Sequence, residues 1–203
     1  MPRILKQFWL DLLASKHYII AALMVFLAGW LLGVNDSGLS SFLQGSSDSL
    51  KDIAGKIANS AHPQLYLFLF IFLNNAIKAI LFIYLGAFLG LWPLSVLLIN
   101  GMMLGYALTT HPSGSPVLLF MKGIMPHGIL ELPAIIVACA YGIRFGGVLI
   151  KSFFMLLSPQ RRAGAKSEVI HFLKMTLPLV VILTIVLFIA AVIESTITWS
   201  LMT

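Results

Sequence analysis

The chain has 203 residues, 60% hydrophobic and only 10% charged, with a net charge of +6 and a mean hydropathy of +1.00. A soluble domain carries about 25% charged residues, so a soluble globular fold is excluded, and the length suits one bundle of roughly five membrane spans at about 20 apolar residues each. The basic excess follows membrane topology and is not read as a nucleic-acid footprint, while the lone cysteine, Cys139, excludes an intramolecular disulfide, and a CxxC or Cys/His zinc signature is absent.

Residues 3 to about 16 place Ile4, Leu5, Phe8, Trp9, Leu12 and Leu13 on one helical face, which suits a helix lying in the membrane interface. The first apolar run, 18–34, follows Arg3, Lys6 and Lys16; it is long for a signal peptide, lacks a convincing cleavage site and reads as an uncleaved span. A polar, Ser/Gly-rich outer loop follows at 35–63. Within it Leu50, Ile53, Ala54, Ile57 and Ala58 recur at helical spacing, so a short amphipathic helix is expected there, capping the bundle, lying on lipid or facing a partner. The second span covers 65–90 and carries Asn74, Asn75 and Lys78; Trp92-Pro93 breaks the helix, and a third span covers 94–109 with Asn100.

Residues 111–116 (His-Pro-Ser-Gly-Ser-Pro) are a turn region. One helix from 117 to 150 would be about 50 Å long against a hydrocarbon core of about 30 Å. A short re-entrant or interfacial segment at 117–125 followed by a fourth span at 126–150 is therefore expected. A basic inner loop, 151–174, precedes a last span at 175–193, then Glu194 and a short tail.

Charge asymmetry orients this layout. Arg3, Lys6 and Lys16 precede the first span, and Lys151, Arg161, Arg162, Lys166 and Lys174 lie between the fourth and fifth. Five spans bring both groups to one side, which places the N-terminus in the cytoplasm and the C-terminus outside the cell membrane; a sixth span at 117–125 would spoil the asymmetry.

Each of the first four spans carries a GxxxG: Gly29/Gly33, Gly86/Gly90, Gly101/Gly105 and Gly142/Gly146. Small residues four apart let helix backbones approach closely where lipid offers no hydrophobic driving force. Packing within one chain ranks ahead of a homo-oligomer seam as their role.

The polar residues inside the spans carry the functional question. Lys78 in hydrocarbon costs about 3 kcal/mol on insertion scales, so a partner is expected, and Glu131 is the strongest candidate. His127 and Glu131 share a face if helical, within Pro126-His127-Gly128-Ile129-Leu130-Glu131-Leu132-Pro133. Three roles compete for this pair. As a lock for a polar bundle core, Glu131 accepts hydrogen bonds from Lys78, Asn74 or Asn100; as a proton relay or ion site, His127 supplies a group that titrates near neutral pH. As a metal site, His127 and Glu131 fall short of the three or four ligands zinc wants, even with His111 as a weak third. The lock ranks first, transport second and catalysis last, since HExxH, GxSxG and Walker A motifs are absent. No cofactor is expected.

Asn74-Asn75 with the following lysine, Asn100-Gly101 ahead of Gly105, and Pro126-His127-Gly128 with Glu131 and Ala134 resemble the stage II sporulation protein M family, from the second span to Gly142. The resemblance implies a polytopic membrane protein of about five spans. It also implies a scaffold: in spore formers the namesake works in a complex with two peptidoglycan-degrading partners during engulfment, and similar proteins occur in organisms that make no spores. The expectation is thus an all-α integral membrane protein, a single membrane domain in contact with the lipid bilayer and with envelope protein partners. Its polar core is expected at Asn74, Asn75, Lys78, Asn100, His127 and Glu131. A non-enzymatic scaffold or assembly factor is the leading function, and a small transporter or channel component is the alternative.

Overall fold

The computed structural model of the chain describes residues 2–35, 40–110 and 125–202, and among them there is no strand. Seven helices follow in order: α1 (Pro2–Ala14), α2 (Lys16–Val34), α3 (Ser40–Ala58), α4 (Pro63–Tyr84), α5 (Leu91–Thr110), α6 (Met125–Leu157) and α7 (Arg162–Met202). Five of them (α2, α4, α5, α6 and α7) are long and apolar enough to cross a membrane. This is an all-α membrane protein, and α1 and α3 are its accessory helices.

Several boundaries differ from expectation. The second span stops at Tyr84, continues as a 3-10 turn over Leu85–Ala87, and the chain reverses where Leu89 (φ 55°) and Gly90 (φ 75°) adopt left-handed backbone. The break is therefore at Leu89-Gly90 and not at Trp92-Pro93. Pro93 sits in the first turn of α5, where its missing N–H has no intrahelical acceptor to lose. Likewise 151–174 is not a loop. α6 runs on to Leu157 and α7 starts at Arg162, leaving a tight turn closed by the Arg161 and Arg162 N–H groups on the Ser158 carbonyl. The two helical extensions are joined by Lys151 to Glu168 (2.7 Å) and by the Ser152 hydroxyl donating to the Ala165 carbonyl (3.4 Å). Pro133 and Pro178 both lie inside continuous helices. The segment expected at 117–125 lies outside the described residues up to its last position, which opens α6.

Glycine sets how the spans meet. A Cβ on Gly29 or Gly33 would overlap the carbonyl of Leu98 or Met102, and one on Gly101 or Gly105 would overlap that of Phe26 or Trp30. The two GxxxG pairs of α2 and α5 thus face each other, backbone on backbone, with the helices running in the same direction. The other two pairs meet between the Gly86–Gly90 turn and α6: Gly86 lies against the Gly142 carbonyl, and Gly146 against Gly90. Each of the eight glycines lies against backbone of another element of the same chain. The Gly86/Gly90 pair, however, packs a turn onto a helix, since only Gly86's neighbours remain helical and Gly90 needs its positive φ.

Two apolar clusters fill the bundle. One gathers Ala79, Ile83, Ala138, Tyr141, Phe172 and Leu187 from α4, α6 and α7, and takes Phe8 from α1. The other gathers Ala22, Phe26, Phe82, Leu97, Cys139 and Ala140 from α2, α4, α5 and α6. α4 and α6 belong to both and so join the two clusters, and Phe8 docks α1 onto the bundle while Trp9, Leu10 and Leu13 stay exposed.

Candidate functional site

Two polar clusters lie within the bundle. The first is built around α4 and α6. These helices run parallel, and their packing brings the Asn75 amide to Glu131 Oε1, where it donates a hydrogen bond of 2.6 Å. Asn74 in turn donates to Asn75 Oδ1 at 3.4 Å, so the three side chains form a short chain ending on the carboxylate. Glu194 of α7 is near enough for its charge and that of Glu131 to interact.

Lys78 is not in this cluster. The buried face of α4 is set by Ile71, Ala76, Ala79, Phe82 and Ile83, and Asn75 lies beside that face. Lys78 is exposed on the flank and makes no ion pair among the described residues. The expected Lys78–Glu131 pair is therefore corrected: an asparagine amide, not an ammonium, meets the carboxylate. Asn100 is also outside it, since its amide donates back to the Val96 carbonyl of its own helix at 2.8 Å. His127 lies in the first turn of α6, but its side chain, like all of His111, falls outside the described residues. Among the described residues no group of three or more His, Cys, Asp or Glu could hold a metal ion.

The second cluster ties α1 to α6. Arg144 makes a two-pronged contact with Asp11, Nη1 to Oδ2 at 2.6 Å and Nη2 to Oδ1 at 2.7 Å, and Nη1 also donates to Ser15 Oγ at 2.8 Å. The Tyr141 hydroxyl donates to Asp11 Oδ2 at 3.0 Å, and Ser15 Oγ donates to the Asp11 carbonyl at 2.7 Å. The guanidinium carbon stands 5.6 Å from the centroids of both Tyr141 and Phe172, within cation–π range. Burial pushes the Asp11 carboxyl up, but the Arg144 hydrogen bonds and charge outweigh it, aided by Tyr141 and His171, and hold it below the ordinary carboxylate range. Arg144 falls inside the expected span 126–150, with no acidic residue at helical spacing on either side. Asp11 lies 133 residues away in the chain, and no local spacing links the two.

A family model described as stage II sporulation protein M matches residues 18–199, which take in all five spans and both residues of the Asn75–Glu131 contact. The chain belongs to the stage II sporulation protein M family. An uncharacterized protein of Methanocaldococcus jannaschii is 30% identical over 137 residues, 68% of this chain and 58% of the relative, so the alignment leaves a large part of that longer relative uncovered. No solved structure matches the chain. The family match begins after α1, so the Asp11 half of the Arg144 cluster lies outside the matched stage II sporulation protein M region, while the Asn74–Asn75–Glu131 chain lies wholly inside it.

Proposed function

We propose that this protein is a non-enzymatic membrane scaffold, an assembly factor for a cell-envelope complex. The observation that carries the reading is how the intramembrane polar groups are used. Asn75 holds Glu131 across α4 and α6, and Arg144 holds Asp11 and Ser15 across α6 and α1. Polar side chains that join helix to helix, with glycine seams beside them, suit a platform that keeps its shape while other proteins engage its ends.

Two surfaces suit that engagement. The polar face of α3 and the turn after it expose Asp48, Ser49, Asp52, Lys56 and Asn59, and the α6–α7 hairpin carries Lys151, Arg161, Arg162, Lys166 and Lys174 beyond the apolar stretch. In the orientation favoured by the positive-inside rule, α3 faces the extracytoplasmic side and the hairpin the cytoplasm. Peptidoglycan-remodelling proteins are the partners that the resemblance to the engulfment namesake suggests for the outer face.

The test pairs two measurements on purified wild type and Glu131→Gln, with folding checked by circular dichroism. A scaffold gives a specific envelope-protein partner in a mild-detergent pull-down and no solute or ion flux in liposomes. Flux that Glu131→Gln abolishes in a folded protein would establish transport and overturn the scaffold.

A further inference from the structure

Lys78 has no role in either polar cluster, yet a lysine within a span is costly unless an anion or the water interface meets it. Its surroundings are specific. Lys78 and Lys56 line one groove between α3 and α4, with Ile53 and Ile57 on the α3 wall and Leu73 and Ile77 on the α4 wall; its volume is about 730 Å³. The α4 wall belongs to the bundle's outward face, where Leu73 and Ile77 are exposed.

We propose that this groove binds an acidic phospholipid, with an acyl chain along the apolar walls and the phosphate drawn to Lys56 and Lys78. Three observations carry it. The walls are apolar and face outward from the bundle, as a lipid chain requires. The charge lining the groove is cationic, which complements a phosphate and opposes a cationic partner. The volume lies within the roughly 300–1,000 Å³ range of pockets that enclose small molecules. Lys56 does contact Asp52 at 3.3 Å, but both side chains are more than 70% exposed (78% and 74%), and an ion pair so open to solvent leaves the ammonium available. The proposal concerns the flank between α3 and α4 and does not rest on the scaffold reading, which uses the adjoining polar face of α3; Lys56 stands on the border of the two.

The full chain is reconstituted into nanodiscs of phosphatidylcholine with a minor fraction of phosphatidylglycerol, released into mild detergent, and its retained lipid counted by native mass spectrometry. Phosphatidylglycerol is expected to be retained in preference to phosphatidylcholine. Lys56→Gln and Lys78→Gln should each lower that preference about fivefold, and the control Lys6→Gln, on α1 and outside the groove, should leave it unchanged. Should Lys78→Gln fail to fold, Lys78→Arg keeps the charge and should retain the lipid. Equal retention of the two lipids by wild type overturns the proposal. So does a loss in the Lys6→Gln control as large as in the groove variants. A disulfide between Leu73→Cys residues of two copies, formed in place of lipid binding, overturns it in favour of a self-association surface.

Discussion

Arg144 meets Asp11 along one edge of its guanidinium, Ser15 at one amino group and the rings of Tyr141 and Phe172 about its face. Its side chain is 18% exposed and that of Asp11 10%, so removing either partner strands a charge in a poorly solvated place. Breaking a buried pair in this way costs roughly 3–5 kcal/mol. Arg144→Lys cannot reproduce the planar fork and should lose much of the same stability, whereas Asp11→Asn keeps shape but leaves the guanidinium without a counter-charge. The pH dependence follows from Asp11. Its carboxyl is held below the ordinary value of 3.8 in the folded chain, so the contribution is fully present above that value and is lost as pH falls through the lower, folded one. Protease cleavage within α1 should therefore stay slow at neutral pH in wild type, rise in acid below about pH 4, and be fast at all pH values in Asp11→Asn. Cleavage of Asp11→Asn as slow as wild type at neutral pH would show that Phe8 packing alone seats α1.

At the scale of the element, α2 and α5 meet with a regularity that single motifs do not reveal. Every glycine contact recurs with the two helices exchanged at a constant offset of 72 residues: Gly29 on Leu98 matches Gly101 on Phe26, and Gly33 on Met102 matches Gly105 on Trp30. The pair is related by a local two-fold axis running along it, and each backbone fills the groove that the other's glycines open. A methyl group at either end therefore has nowhere to go, because its neighbour is backbone and not a side chain that could turn away. Gly101→Ala should destabilise the protein by about 1–3 kcal/mol, the usual cost of overpacking. Gly45→Ala, in the middle of α3 where a Cβ meets nothing within 4 Å, should instead stabilise by about 0.5–1 kcal/mol through the better helix propensity of alanine. Thermal unfolding of the two variants in the same detergent decides the matter, and equal shifts would mean that the α2–α5 seam is looser than its backbone contacts imply.

The same scale explains what could be read from sequence. Five spans follow from hydropathy, and the GxxxG pairs identify the close-packed seams, because both signals are local. Helix direction in α4 was harder: Asn74 and Lys78 share a face, but the face that turns inward is fixed by Ala76, Ala79 and Ile83 packing on α6 and α7. A rotation of one residue position puts Asn75 on Glu131 and Lys78 outside. The helices of the fourth and fifth spans run past the expected bounds for a related reason, since hydropathy marks where lipid ends and not where the helix does. Lys151, Ser152, Ala165 and Glu168 hold the helical hairpin together past that point.

For the whole molecule, the contacts fix the direction of each span without reference to charge. Gly29 to Leu98 and Gly33 to Met102 make α2 and α5 parallel, Asn75 to Glu131 and Gly86 to Gly142 make α4 and α6 parallel, and Arg144 to Ser15 brings the start of α2 beside the later half of α6. The beginning of α2 and the α6–α7 turn therefore lie at one end of the bundle, the α3–α4 connection at the other, and Lys16, Lys151, Arg161, Arg162, Lys166 and Lys174 gather at the first end. Packing is the same in either orientation, and the positive-inside rule makes the basic end the one expected in the cytoplasm. Single cysteines at Asn59 and Gln160, in a Cys139→Ala background that removes the one buried thiol, turn this into a measurement. A membrane-impermeant maleimide should label Asn59→Cys on intact cells and Gln160→Cys only after permeabilisation. Labelling of both positions on intact cells would break the five-span path, because it would put the two ends of the bundle on one side of the membrane. The reverse pattern would keep the fold and invert it, placing the basic hairpin outside and making α3 the cytoplasmic surface for partners.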